Sequence, residues 1–315
     1  MAMTKTPHED PRWVVRPTLD ELIQLGQPAR SIRMARTTAR ALQSGQYLAQ
    51  FKGRGMEFDE TRPYTAGDDI RSLDWRVTAR TGKVHTKLFR EERERPVLLS
   101  VDLRPSMFFA TRGMYKSALA SRLAALMAWS SFHHGDRLGG QILTGRSAQM
   151  VKPGEGHAPV LRWLKNLADA AAESQPGPNS EGLLDTALTD LCRHSKPGTL
   201  IFVLSDFRGL TETGSAALGR LARHSTVVLM LLSDPLEKML PLGLHRYGHA
   251  GTERLLEGDE KTRQAHLARF EAREQAVRRL AQQQGLRWIH GSTEEAPVLI
   301  LRRAFKVRAA PTHRR

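Results

Sequence analysis

The chain predicts a three-layer α/β sandwich, a mainly parallel sheet covered by helices on both faces, behind an amino-terminal extension of different texture. Three observations predict it. Short apolar runs at 97–101, 199–204 and 226–232 are too brief for stable helices and rich in Val, Ile and Leu, as strands buried on both faces are. Helical patterns alternate with these runs, the grammar of a crossover-connected sheet. Before Arg95 that grammar is missing: the stretch from Lys52 to Arg80 is dense in glycine and charge and holds no long apolar run.

In chain order, residues 1–17 carry Pro7, Pro11 and Pro17 and read as a loose lead. Leu19, Leu22, Ile23 and Leu25, then Ile32, Met34, Ala35, Ala39 and Leu42, have the spacing of two short helices. These and the charged segment make up an expected extension over 18–94. The α/β domain is expected over 95–309, followed by a basic tail at 310–315. Within that domain, strand 97–101 leads to a helix over 114–132 with Leu119, Leu123, Leu126 and Met127 on one face. Strands 138–143 and 148–151 flank Thr144-Gly145-Arg146-Ser147, turn chemistry that suits an antiparallel hairpin at one edge of the sheet. Helices over 160–172 and 183–192 are separated by a loop whose Pro176, Gly177 and Pro178 cannot continue either one. A helix over 216–222 joins the strands 199–204 and 226–232. Residues 235–259, with two prolines, four glycines and little periodicity, read as an irregular excursion. A charged helix over 260–284, a strand over 286–290 and a helix over 296–305 complete the order.

Composition narrows the function classes. The 315 residues allow about two domains, or one with a large extension. Cys192 is the one cysteine, which excludes an internal disulfide and multi-cysteine zinc sites. The amino terminus is charged where a signal peptide needs its apolar stretch, and no apolar run approaches the roughly 20 residues that span a bilayer. A cytoplasmic location with no membrane span is therefore expected. The formal charge of +15 raises nucleic acid, anionic lipid or an acidic protein as partners. That surplus is spread, +5 in the first hundred residues and +10 in the remainder, and aromatics are only 6%. No aromatic-rich basic stretch of the kind that stacks bases is present, which disfavours nucleic acid.

The three main strands each end in a carboxylate, Asp102, Asp206 and Asp234, at the sheet edge where open α/β folds gather ligands. Earlier, the segment from Arg62 to Arg80, with Arg62-Pro63-Tyr64, Gly67-Asp68-Asp69, Arg71, Asp74-Trp75 and Arg80, carries seven charges of both signs, interleaved with Tyr64 and Trp75. Two readings stand side by side: a lattice of ion pairs that fastens the segment, or a docking surface. A nuclease site built from Asp68, Asp74 and Glu91 is weaker, because Lys87 follows His85-Thr86 rather than a Glu-x pair. A Gly-x-x-x-x-Gly-Lys-Ser/Thr loop, a Gly-x-Ser-x-Gly elbow and a His-Glu-x-x-His pair are all missing from the sequence. His133-His134 reads as a polar helix terminus and Cys192 as a packed thiol.

Two resemblances attach to these residues. Asp102-Leu103-Arg104-Pro105-Ser106 resembles the Asp-x-Ser-x-Ser loop of von Willebrand factor A domains, in which carboxylates and hydroxyls hold a magnesium ion. The middle hydroxyl is here Arg104, and the position expected for a threonine ligand falls near Gly182. The expected result is a degenerate ion site of Asp102, Ser106 and Asp206 in which Arg104 takes the cation's place, so that no cofactor is required and Mg2+ is the ion such a loop would otherwise take. The run from Gly53 to Glu92, with Arg-Pro-Tyr-x-x-Gly-Asp-Asp-x-Arg-x-x-Asp-Trp at its centre, resembles the signature of the domain-of-unknown-function 58 family. Ser233-Asp234-Pro235-Leu236-Glu237 and Leu240-Pro241 resemble its later landmark. The resemblance implies a von Willebrand factor A-like domain without catalytic residues, acting as partner or adaptor of a MoxR-type AAA+ ATPase and its client protein. Arg62, Tyr64, Gly67, Asp68, Arg71, Asp74, Trp75 and Arg80 would form the family surface. The alternatives are a basic nucleic-acid-binding protein and, more distantly, a metal-dependent phosphodiesterase.

Overall fold

The computed structural model describes residues 15–34, 56–65, 73–91, 95–174, 181–249 and 252–305. The chain divides into two compact units, 40–94 and a larger one that combines 1–39 with 95–315. Most of the expected lead and all of the basic tail lie outside the described residues.

Two short helices open the chain, α1 (Leu19–Gln24) and α2 (Gly26–Ala29). Helix α1 starts where Thr18 accepts from the Glu21 amide and Glu21 Oε2 accepts from the Thr18 amide at 2.8 Å, a reciprocal cap. Both helices belong to the larger unit. Trp129 Nε1 donates to the Leu22 carbonyl at 3.0 Å and Ser130 Oγ to that of Ile32 at 2.8 Å. The first part of the expected 18–94 extension thus groups with the larger unit, and the two units divide near residues 40 and 95. The second expected helix is not seen at 32–34, and its remainder lies outside the described residues.

The smaller unit pairs β1 (Met56–Pro63) antiparallel with β2 (His85–Glu91), around α3 (Trp75–Thr81). An isolated bridge from Leu73 to Thr86 extends the pairing. Asp74 caps α3 by accepting from the Arg76 and Val77 amides, each at 3.1 Å, and Gly82 closes it at φ +67°.

The larger unit is built on six strands: β3 (Pro96–Asp102), β4 (Arg137–Leu143), β5 (Ala148–Gly154), β6 (Leu200–Ser205), β7 (Thr226–Ser233) and β10 (Arg287–Ser292). Their order is β10-β7-β6-β3-β4-β5, all parallel except the edge hairpin β4-β5. Gly139 and Gly140 lie where β4 meets its neighbours closely: a Cβ on Gly140 would stand 2.1 Å from the Leu99 carbonyl oxygen. The helices are α4 (Lys116–His133), α5 (His157–Glu173), α6 (Leu183–His194), α7 (Glu212–Ala222), α8 (Pro235–Lys238), α9 (Glu260–Gln284) and α10 (Pro297–Phe305). Thr211 caps α7, which therefore begins four residues before the apolar pattern at 216.

Strand alternation divides the core. Val97, Leu99 and Val101 join Leu123 of α4, Trp163 of α5 and Ile300 of α10 on one face. Leu98, Ile201 and Leu229 join Leu188 of α6, Leu218 of α7 and Val277 of α9 on the other. The result is the expected three-layer sandwich. Helix α4 is buried all round, from 116 to 131, because alanines and serines fill the positions that a surface helix would give to charge.

One expectation is overturned. The excursion at 235–259 is ordered as α8 and an antiparallel ribbon, β8 (Gly243–His249) and β9 (Thr252–Gly258), with Gly243 opposite Gly258. This ribbon is a separate two-stranded sheet, so neither strand needs the apolar run that marks a strand in sequence. Leu244 and Leu255 are about two thirds exposed on it.

Candidate functional site

The strand order reverses direction between β3 and β6, and a ligand crevice in an open α/β sheet forms at the carboxyl ends of such a pair. Asp102 ends β3; Ser205 ends β6 and Asp206 follows it. Both carboxylates are buried, at 2% and 0% exposure.

Arg104 turns back on Asp102. Its Nε lies 3.0 Å from Oδ1 and one terminal nitrogen 2.8 Å from Oδ2, while its own amide donates to Oδ1 at 2.9 Å. Ser205 Oγ adds a fourth donor at 2.6 Å to Oδ2. The terminal nitrogen of Arg104 that meets Oδ2 also reaches the Arg208 carbonyl at 3.1 Å and stands 3.9 Å from Asp206. Burial would lower the Arg104 pKa, but the Asp102 charge and hydrogen bonds, with Asp206 and Asp185 behind them, hold it above its ordinary value. The guanidinium stays charged.

Asp206 is held by a different cation. Lys116, at the start of α4 and 0% exposed, donates to Asp206 Oδ2 at 2.9 Å and to Glu237 Oε1 at 2.6 Å. Arg208 adds its amide to Asp206 Oδ1 at 3.1 Å and bridges both acids with its side chain at 3.5 Å. Arg273 of α9 donates to the second Glu237 oxygen. Between these residues Phe207 adopts φ +53°, a left-handed conformation unusual for an aromatic side chain. That turn returns the Arg208 amide to Asp206 and the Arg208 carbonyl to Arg104.

These donors do not fit a divalent cation. Mg2+ needs oxygen ligands in near-octahedral array. Here both Asp102 oxygens accept from Arg104, and the Asp206 oxygens face Lys116 and Arg208. A second cation would sit against two fixed ones, whose repulsion is strong at low dielectric. Among the described residues no group of three or more His, Cys, Asp or Glu is placed to hold a metal ion. Ser106 lies in the 3-10 turn Pro105–Met107, half-buried. The third strand-end acid, Asp234, accepts from the Thr111 amide and hydroxyl at 2.8 and 2.6 Å, from Thr293 Oγ1 at 2.8 Å and from the Leu236 amide at 2.9 Å. It ties loops together and caps α8.

The sequence pointed to Asp102, Arg104 and Asp206 but not to Lys116, Glu237, Arg208 or Arg273. A signal existed for one of them: Lys116 opens a helix whose other faces are apolar, and a lysine there must find an acid. Glu237 stood in the landmark after β7 without an assigned role. In the smaller unit, Arg62 donates to the Pro63 carbonyl and to Thr65 Oγ1. Tyr64, Trp75 and Arg80 are exposed. Asp74 is buried as a helix cap, and Gly67, Asp68 and Arg71 lie outside the described residues. His133 and His134 bond the Gly26 and Ser130 carbonyls, and Cys192 packs against the second core cluster.

Acid should weaken the larger unit in two steps. Burial and the nearby Lys238 ammonium depress the His290 pKa, although Glu274 and Glu295 oppose this. A depressed histidine contributes stability above its unfolded value of about 6.5 and loses it as the pH falls below that. Asp206 follows at lower pH. Burial pulls its carboxyl up, but Lys116, Arg208 and their hydrogen bonds hold it well below the usual range. Its contribution is complete above an unfolded value near 3.9 and is lost as the pH falls towards the folded one. Urea midpoints against pH are expected to decline first below about 6.5 and again below about 4; His290→Phe should flatten the first decline only.

A doubly wound sandwich with its carboxyl-edge crevice at this reversal is an open α/β domain of the Rossmann-like class. The chain belongs to the family described as Protein of unknown function DUF58, whose model matches residues 60–279. It is 32% identical over 200 residues to the uncharacterized proteins Mb1516 of Mycobacterium bovis and Rv1480 of Mycobacterium tuberculosis, matching 62% of this chain and 61% of theirs. The chain thus spans about three fifths of the length of the curated relatives it matches. Among solved structures it is similar to an aerotolerance-related membrane protein from Bacteroides fragilis, with TM-score 0.44 and 13% identity over 67% of this chain and 96% of the other. BatB from Bacteroides thetaiotaomicron gives 0.38 and 14% over 68% and 98%. A von Willebrand factor type A structure from Catenulispora acidiphila gives 0.34 and 13% over 48% and 36%. No helix among the described residues is long and apolar enough to cross a membrane.

Proposed function

We propose that this protein is a non-catalytic interaction module that partners a MoxR-type AAA+ ATPase in the cytoplasm and presents a client protein to it, in the maturation of a protein complex or the insertion of a metal. One observation carries the non-catalytic part: the ligand position at the sheet's carboxyl edge is filled by the chain's own cations, Arg104 and Lys116, each hydrogen-bonded to buried acids. A site closed in this way offers no open position for substrate or metal, so its role is to hold the loops that a partner reads. The ATPase part is supported by the resemblance of the Gly53 to Glu92 run to the family signature, which implies such a partnership, and by the Arg62 to Arg80 motif, whose Tyr64, Trp75 and Arg80 face solvent.

A pull-down with the tagged chain from nuclease-treated native lysate, with an ATP analogue present, tests the proposal. Recovery of an AAA+ ATPase in near-equal amount is expected. Recovery of nucleic acid alone from an untreated control would overturn it in favour of the basic nucleic-acid-binding alternative that the +15 charge raises.

A further inference from the structure

Among its described residues the smaller unit exposes three large apolar side chains, Tyr64 at 36%, Trp75 at 67% and Val84 at 45%. Its backbone brings them together. The Tyr64 amide donates to the Val84 carbonyl at 2.9 Å, and the Asp74 amide to the next carbonyl along, that of His85, at 2.8 Å. Residues 64, 75 and 84 therefore lie on three segments joined side by side, and each of the three side chains is exposed.

Among the described side chains, the exposed charges around this area have one sign. Arg76 and Arg80, one turn apart on α3, and Lys83 beyond its end are all exposed. Among the described residues none of the three is in an ion pair with a carboxylate. Asp74, the one carboxylate whose side chain is described here, is 7% exposed and spent on the α3 amides. Tryptophan, tyrosine and arginine are the residues that dominate protein interfaces, with an apolar centre and a charged rim. A membrane surface would also attract tryptophan beside basic residues, but α3 is seven residues long with Trp75 at its first position, and it offers no extended apolar face to lie in a bilayer.

We propose that this face is a docking site for an acidic protein segment that carries an apolar anchor, the anchor covering Trp75 between Tyr64 and Val84 while carboxylates meet Arg76, Arg80 and Lys83. The site deepens the interaction-module reading and does not depend on which ATPase is the partner. Its test is fluorescence anisotropy of the full chain with a labelled synthetic peptide of glutamates around a Leu-Phe-Leu centre. Wild type is expected to bind with an affinity that falls as salt rises. Trp75→Ala, and separately Arg76→Glu with Arg80→Glu, are each expected to weaken binding about tenfold or more, with unchanged thermal melts. Arg112→Glu, an exposed position on the larger unit, should bind as wild type does. Equal binding by wild type and the Trp75 and arginine variants would overturn the site. So would Trp75-dependent binding to phosphatidylglycerol vesicles or to single-stranded DNA in place of the peptide. As a second readout, the peptide should shield Trp75 from acrylamide quenching, with Trp75→Phe as the blank; quenching unaffected by bound peptide would count against the proposal. An ATPase pull-down that fails while peptide binding remains Trp75-dependent would sink the ATPase partnership and support the site.

Discussion

Lys116→Met is expected to destabilise the larger unit by about 3 to 5 kcal/mol, the loss that follows when one partner of a buried ion pair is removed. Lys116 is 0% exposed and touches two acids at once, Asp206 at 2.9 Å and Glu237 at 2.6 Å. With the ammonium gone, Asp206 keeps Arg208 at 3.5 Å and Arg104 at 3.9 Å, neither of them a close hydrogen-bonded ion pair through the side chain. Glu237 fares better, since Arg273 and Arg208 still reach it from the solvent side. Glu237→Gln should therefore be milder than Lys116→Met. Urea unfolding measures the order, and a thermal midpoint lowered by roughly 6 to 20 °C is the matching signature for a domain of this size. The acid-side loss of stability should also move to higher pH in Lys116→Met, because the largest influence holding the Asp206 carboxyl down has been removed. A variant as stable as wild type, with the same acid limb, would show that the acids are not held as described.

Arg104→Met is the second large effect, about 3 to 5 kcal/mol by the same reasoning. It leaves Asp102, 2% exposed, with the Ser205 hydroxyl and one backbone amide in place of a bidentate guanidinium. Adding Asp102→Asn to Arg104→Met removes the stranded charge, and the double variant should be more stable than Arg104→Met alone. The coupling in that double-mutant cycle is expected at about 1 to 3 kcal/mol. Magnesium or manganese should leave the wild-type midpoint unchanged. Stabilisation of the wild type by either ion, reversed by a chelator, would restore the metal reading of the Asp102 loop.

The two sites differed in how far they could be read beforehand. Asp102 and Arg104 are two residues apart, so their pairing was legible from local order and the preference of arginine for carboxylates. Lys116 is 90 residues from Asp206 and 121 from Glu237, and no spacing rule links positions that meet only when α4 packs across the sheet. In the smaller unit the alternating charges suggested a lattice or a docking surface. The structure makes Asp74 a helix cap and leaves Trp75 exposed beside Arg76, two roles that neighbouring residues in one motif do not announce.

What the sequence determined by itself was the larger unit's plan. Short runs of Val, Ile and Leu must be buried on both faces, helical spacing between them must cover those faces, and the strand-end acids must then fall at one edge. The tertiary structure decided three things: which cation each acid received, where the chain divides near residue 40, and that 243–258 forms a ribbon apart from the main sheet. The reason is physical. Burial imprints periodicity on local sequence, whereas an ion pair or a separate two-stranded ribbon needs only that distant groups meet, and leaves no period behind.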